Sequence, residues 1–304
     1  MKIDKLSVLC KVLNKMCKLG NIVLLAFIFV VLWYAWQVVV MLDSTNVKNG
    51  TRDGPKIYTE LDPELIELIK EKFLIPPSSS KTPYNFGGDI KSDGQSNTIL
   101  EILNNKKNGF FIECGANNGV FNTNTLLLEK EFGWTGILIE AGPKNLESLY
   151  KVNRRSWIVP AGLSIKKETM QVEFGDWAQV GQIIDTTLLK SFEGKKDQSK
   201  NPIVTCLPFF SILLALDNPT IDYFSLDVEG YELDILKTIP WDKVNIKVLS
   251  VEFIHLEEKG WHIQDLQAFM ISQGYIVHSK VKRDFIFIKN EYRVNNFMDA
   301  VLML

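Results

Sequence analysis

The sequence predicts an α/β fold in which a mostly parallel, doubly wound seven-stranded sheet is closed by an antiparallel C-terminal hairpin, preceded by an N-terminal transmembrane helix. Three observations predict it. From about residue 90 onward, short apolar runs of strand length alternate with amphipathic stretches of helix length, as expected for parallel strands joined by crossover helices. The last two apolar runs are separated only by Lys280-Val281-Lys282-Arg283-Asp284. That is too short for a crossover helix, so the pair must run antiparallel. Near the N-terminus, the 24 residues 19–42 include no charged side chain, and 21 of them are hydrophobic.

At about 1.5 Å per residue, the stretch 19–42 makes a helix of roughly 36 Å, enough to cross a hydrocarbon core of about 30 Å with some tilt. A cleaved signal peptide has a shorter apolar core and a small-residue cleavage site. This run instead closes on Trp33-Tyr34-Ala35-Trp36, a cluster suited to a membrane interface. Lys2, Lys5, Lys11, Lys15 and Lys18 precede it against Asp4, whereas Lys48, Arg52 and Lys56 follow it, diluted by Asp43 and Asp53. The positive-inside rule then puts residues 1–18 in the cytosol and the remainder in the lumen or outside, a single-pass type II topology. Cys10 and Cys17 fall on the cytosolic side, open either to palmitoylation or to remaining unmodified. Asn49-Gly50-Thr51 is a formal glycosylation acceptor close to the anchor.

Residues 43–89 read as a stem with one helix at 63–74. Asp62 offers its N-cap, Pro63 its first position, and Leu65, Ile66, Leu68, Ile69 and Phe73 an apolar face. The folded domain is expected over 90–304. Strands are expected at 110–112, 136–139, 157–159, 223–226 and 248–253, then at 275–279 and 285–288 for the hairpin. Helices are expected at 96–104, 125–132, 144–153, 209–216, 232–239 and 263–273. The long stretch after the third strand, which holds Asp176-Trp177, reads as a connection. A disulfide between Cys114 and Cys206 would need Cα atoms within about 7 Å; with Cys114 in a buried strand, both read as small buried hydrophobes.

Composition excludes several classes. A chain of 304 residues with 46% hydrophobic and 23% charged residues and a formal net charge of −2 has no electrostatic drive toward nucleic acid. With 11 Pro, 19 Gly and no low-complexity tract, it is neither disordered nor fibrous. His255, His262 and His278 are the only histidines. They lack metal-ligand spacing, so no metal site is expected, and His255, beyond the fifth strand, is an alternative base.

Two constellations carry chemistry. The first strand runs into Glu113-Cys114-Gly115-Ala116-Asn117-Asn118-Gly119 and then a helix. Glycine at 115 permits a tight turn and close backbone approach, and the helix start offers free N–H groups to an anionic group. Glu140 follows 25 residues after Gly115 at the end of the second strand, where a carboxylate can accept both hydroxyls of a ribose. A dinucleotide-binding turn would need the pattern G-x-G-x-x-G; positions 117 and 120 are Asn and Val. S-adenosylmethionine has no pyrophosphate, but has an amino-acid end whose ammonium group Glu113 can hold. The terminal hairpin also favours it, because a parallel core closed by an antiparallel pair is the Rossmann-like arrangement of methyltransferases that use this cofactor.

The second constellation is Ser225-Leu226-Asp227-Val228-Glu229-Gly230-Tyr231-Glu232 after the fourth strand. Strand C-termini line the ligand crevice of such sheets, so Asp227 and Glu229, two apart on an extended chain, both point toward it. Either can align an acceptor or take its proton. In the plainer reading, Glu229 caps the next helix and Asp227 orders the loop.

Residues 95–290 resemble the FkbM-type methyltransferase family, most closely its animal branch that includes the insect membrane protein Star. The resemblance is carried by Asn108 to Glu113 with Gly115, Ala116 and Gly119, by Gly133-Trp134-Thr135-Gly136-Ile137-Leu138-Ile139-Glu140, by Cys206-Leu207-Pro208, and by Ile221 to Gly230 with Glu232, Leu236, Pro240 and Glu252. It implies Glu113, Gly115, Ala116, Asn117 and Gly119 as the cofactor turn, Glu140 as ribose ligand, and Asp227 and Glu229 as cleft acids. Asn118 departs from a frequent Asp, and Ala141-Gly142 from a frequent Glu-Pro. Two functions follow: a lumenal O-methyltransferase acting on a hydroxyl of a small molecule or glycan, or a Star-like non-catalytic factor for a membrane-tethered protein cargo. The branch implies a place in the endoplasmic reticulum, Golgi, endosome or plasma membrane.

Overall fold

Strand β1 (Phe110–Cys114) lies at the middle of the parallel part of the main sheet, pairing in parallel on both sides, with β2 (Thr135–Glu140) and with β8 (Ile221–Leu226). In this computed structural model, residues 56–86, 94–177, 180–184 and 201–292 are described. Outward from β2 lies β3 (Trp157–Pro160), and outward from β8 lie β9 (Ile246–Glu252), β11 (Asp284–Lys289) and β10 (Tyr275–Val281), giving the order β10-β11-β9-β8-β1-β2-β3. The β9–β11 and β11–β10 pairs are antiparallel and the others parallel. The architecture is therefore the mostly parallel seven-stranded sheet with an antiparallel C-terminal hairpin that the sequence predicts.

The strands alternate their faces with period two. Ile112, Cys114, Ile137, Ile139, Phe224, Leu226, Leu249 and Val251 belong to one buried cluster. Phe111, Leu138, Tyr223 and Val248 belong to another. Helices α1 (Pro63–Leu68), α5 (Phe209–Leu214), α6 (Glu232–Thr238) and α7 (Ile263–Ser272) supply Leu65, Ile212, Leu236 and Met270 to the first. Helices α2 (Gln95–Ile102), α3 (Leu126–Phe132) and α4 (Pro143–Lys151) supply Ile99, Leu128 and Leu149 to the second.

A second sheet was not foreseen. Strands β4 (Gly162–Leu163), β5 (Met170–Trp177), β6 (Val180–Ile184) and β7 (Ile203–Leu207) pair in the order β4-β7-β5-β6. The stretch read as a connection, with Asp176 and Trp177 in it, is thus largely strand. Its inward residues Val172, Phe174, Val204 and Cys206 make a small separate cluster. Cys206 and Cys114 are free, buried thiols.

The stem also needs correction. The described residues from 57 onward belong to one compact unit, so residues 57–86 are part of the fold instead of a tether. Asp62 caps α1 by accepting from Glu64 N at 2.9 Å, as expected, and the helix continues into a wider π-helical turn, Ile69–Phe73. Leu65 and Ile69 are fully buried in the main cluster. Ile75 then exchanges two backbone hydrogen bonds of 3.0 Å with Ile158 and so covers the outer edge of β3. The anchor expected at 19–42, the tail 1–18, Asn49 and residues 43–55 lie outside the described residues. Among the described residues no helix is long and apolar enough to cross a membrane.

If residues 57–86 are integral, Ile69→Ala should lower unfolding stability by about 2–5 kcal/mol, the range for truncating a buried aliphatic side chain. Urea denaturation followed by tryptophan fluorescence measures it, and a midpoint equal to that of the wild type would contradict the assignment.

Candidate functional site

The strands β1, β2, β8 and β9 all end at one edge of the main sheet, and a cleft of about 210 Å³ opens there against the small sheet. This is where ligands bind in open parallel sheets, outside the carboxyl ends of the strands. Gly115, Asn117, Glu140, Asp227 and Glu229 of the expected site line it. Gly115 has φ +82° and sits against β8 so closely that a Cβ would come within 2.0 Å of the Asp227 carbonyl oxygen. No side chain fits there, so the turn after β1 can be made only by glycine.

Glu140 is held at the cleft by two backbone donors, Asn117 N at 2.7 Å to Oε2 and Gly142 N at 2.6 Å to Oε1. Burial dominates its titration and pushes its pKa up to about 7, against these hydrogen bonds. The Asn145 side chain and the Ala141 backbone also hydrogen-bond to it, and its carboxylate lines the cleft. Beside it, Ala141, Ala161, Leu163, Phe174 and Val204 form an apolar wall.

Glu113 departs from its expected role. It shares a face of β1 with Phe111, away from the cleft, and it is 3% exposed. One oxygen accepts from Asn124 N at 2.6 Å and the other from Thr123 Oγ1 at 2.8 Å and from Thr125 Oγ1. Its acceptor positions are thus filled from within the chain, and burial raises its pKa while the nearby Arg154 charge opposes that. Ala116 is buried in the core beneath the turn. Gly119 stays outside the cleft, and its carbonyl accepts from Arg154 Nη1 at 2.7 Å. Asn118, at the position of a frequent Asp, accepts from Val120 N and Phe121 N at 3.0 and 2.8 Å, so its oxygen orders the turn without a charge.

Asp227 and Glu229 reach the cleft by a different route from the one expected. Strand β8 ends at Leu226, and the chain then turns, with Glu229 at φ +59° and Gly230 at φ +103°. A Cβ at 230 would lie 2.7 Å from the His255 carbonyl. The loop is held by Glu232, whose Oε1 accepts from Val228 N at 2.8 Å and Gly230 N at 3.2 Å. Glu229 does not cap the helix, which starts after Tyr231 with no side-chain cap hydrogen bond, and it pairs with His255, Oε2 to Nε2 at 3.1 Å. The other ring nitrogen of His255 lies 3.0 Å from Glu258, which is solvent-exposed.

Sequence reading missed Glu252 and Arg283 as cleft residues. Glu252 ends β9 and hydrogen-bonds Asp227, an arrangement that requires a proton between the two; burial and the neighbouring charges raise both pKa values. An acid closing an apolar strand at the same sheet end as Glu140 was the available signal. Arg283 comes from the hairpin turn, tied in by Phe253 N to its carbonyl at 3.1 Å, which no local pattern announces. No metal spacing was visible either, yet Asp227, Glu232 and Glu252 form one carboxylate group and Glu229, Glu252 and His255 another.

Arg154 braces the turn from beneath. Its Nε meets Glu129 at 3.1 Å with both side chains fully buried, and its Nη2 donates to Thr125 Oγ1 at 3.0 Å. Arg154→Met should cost about 3–5 kcal/mol, because it strands the buried Glu129 charge. Chemical denaturation reads this directly, and a loss below about 1 kcal/mol, the range of an exposed ion pair, would show that the pair is not buried in solution.

Residues 113–277 match the Methyltransferase FkbM domain family, and comparison with curated proteins finds no match. Among solved structures, the chain is similar to the methyltransferase FkbM from Methylobacillus flagellatus at 15% identity and a TM-score of 0.38, covering 74% of this chain and 52% of that one. It thus spans about half the length of that relative. A methyltransferase from Pyrococcus furiosus is 14% identical, with a TM-score of 0.35 and coverages of 74% and 94%. A TehB-like SAM-dependent methyltransferase from Corynebacterium glutamicum is 9% identical, with a TM-score of 0.35 and coverages of 67% and 90%. The family match takes in more than half of the chain, and the chain belongs to the FkbM methyltransferase family.

Proposed function

From that membership we propose that the protein is an S-adenosylmethionine-dependent O-methyltransferase acting on a hydroxyl of a small molecule or glycan. The observation that carries the reading is the convergence of Gly115, Glu140 and Asp227 on one cleft at the strand ends. The residues fit the cofactor chemically. Glu140 brings a carboxylate to the cleft for the ribose hydroxyls, the apolar wall of Ala141, Leu163 and Phe174 suits a flat adenine ring, and the turn from Gly115 to Asn117 brings backbone close to the amino-acid end.

When bound, the cofactor supplies an electrophilic methyl group on a sulfonium. The chain must align the acceptor hydroxyl in line with it and take the hydroxyl proton. Glu229 takes that proton, since it lines the cleft and is only partly buried. His255 and then Glu258 continue the path at 3.1 and 3.0 Å to solvent. Asp227 orients the acceptor from the cleft floor. The same reading includes the anchor at 19–42, type II topology in the secretory and endosomal system, and the Star-like branch; these rest on the apolar run, its flanking lysines and the resemblance alone.

Calorimetric titration of S-adenosylmethionine into the full-length chain in detergent micelles tests the reading. Saturable binding is expected, with Glu140→Ala weakening it by roughly tenfold or more, the loss of charge-assisted hydrogen bonds. Absence of heat from a folded preparation would refute it. The pH dependence has a definite sign: only ionised Glu140 accepts both hydroxyls, so affinity should be full above pH 8 and fall as pH drops through about 7. Unchanged affinity between pH 8 and pH 5.5 would exclude Glu140 as the ribose ligand.

A further inference from the structure

The floor of the cleft holds carboxylates that the proposed transfer does not use. Glu232 is 1% exposed and Glu252 4% exposed. Each has one oxygen, Oε2, that is buried without a hydrogen-bond partner. Glu232 cannot turn to relieve this, because its Oε1 is fixed by Val228 N and Gly230 N. Together with Asp227, one oxygen from each of the three carboxylates lies within 4.8 Å of the others. Among the described residues, none of the three forms an ion pair with a lysine or arginine. Elsewhere the fold does supply buried acids with cations: Glu129 has Arg154, and Asp222 has Lys106 and Lys247 at 2.6 and 2.7 Å. Orphaned buried carboxylate oxygens cost several kcal/mol unless a proton or a cation completes them.

We propose that Asp227, Glu232 and Glu252 form a binding site for one hard divalent cation at the cleft floor. An all-oxygen, carboxylate-only set selects magnesium, manganese or calcium over softer ions. Three protein ligands leave coordination positions open, and Asp227 and Glu252 both face the cleft, so the open positions point to where an acceptor would lie. Glu229 and His255 form the outer wall of this floor. If the methyl-transfer reading holds, on which this step rests, the ion binds the acceptor hydroxyl directly and lowers its pKa. The acceptor then carries a second oxygen next to the methylated one, since a vicinal pair can chelate the ion through two open positions.

Manganese titration followed by electron paramagnetic resonance tests the site without any methyl transfer. The full-length chain in micelles is first stripped with a chelator, and no S-adenosylmethionine is added. One manganese ion per chain should bind saturably, and magnesium or calcium should displace it. Glu252→Gln and Glu232→Gln keep the side-chain shapes and should each weaken binding by roughly tenfold or more, as metal-site substitutions do. Asp227→Asn serves as the replacement should either glutamine variant fail to fold by circular dichroism. Manganese binding with unchanged affinity in the variants, displacement by neither magnesium nor calcium, or no binding at all would each overturn the proposal. The calorimetric titration above separates the two readings: metal binding without cofactor binding leaves this site standing and removes the methyltransferase, and the converse removes only this site.

Discussion

Everything at the cleft rests on a buried polar seam running beneath the C-terminal edge of the sheet. Glu113, at the tip of the central strand, draws Thr123, Asn124 and Thr125 onto its two oxygens. Arg154, arriving from the far side of β3, ties Thr125, Glu129 and the Gly119 carbonyl together. Asn124 passes the chain of hydrogen bonds to Ser225 on β8 at 3.0 Å, and Ser225 to Ser250 on β9 at 3.3 Å. A fully satisfied buried network of this kind is costly to leave half-made, so it holds the turn 115–119 in a single position relative to β8 and β9. The backbone geometry at Gly115 follows from that pinning.

Above the seam the electrostatics reverse. Below the cleft the acids have donors or cations. At its floor, among the described residues, Asp227, Glu229, Glu232 and Glu252 crowd together beside His255 and Arg283, and burial drives the pKa of each upward. The protein thus keeps a crowded group of acids, whose charged forms burial disfavours, under an otherwise ordinary apolar slot. Concentrating strained charge at the ligand-facing end of the sheet, and not in its supports, marks where interaction with something outside the chain is built in.

Much of this was legible in the sequence, for physical reasons. Each strand of the main sheet is a short apolar run between helices, so period and length alone located β1, β2, β3, β8, β9 and the hairpin to within a few residues. The small sheet escaped because β4 and β5 follow one another without a helix and only two residues lie between β5 and β6; only the alternation of Val172 with Phe174 and of Val204 with Cys206 betrayed it. The site was half legible. Glycine at 115 and the acids at 140, 227 and 229 stand at strand ends, which the pattern locates. Glu113 was misread because an acid near a strand end says nothing of which face it takes, and parity with Phe111 turns it inward. Glu252 and Arg283 meet the others only through the β9–β11 pairing, a contact between distant parts of the chain that no local window contains.

The backbone exchange between Ile75 and Ile158 has a consequence for how the molecule behaves among its neighbours. Without it β3 would present unpaired N–H and C=O groups at the margin of a long twisted sheet, the surface from which edge-to-edge aggregation starts. The other margin is β10, whose outward run carries His278, Lys280 and a register shift between Val277 and Ser279, features that discourage a second chain from adding on. One edge is thus closed by a strap from residues 57–86 of the same unit and the other by charge and irregularity. Losing the Ile75–Ile158 exchange would leave β3 as an open edge to which another strand could add.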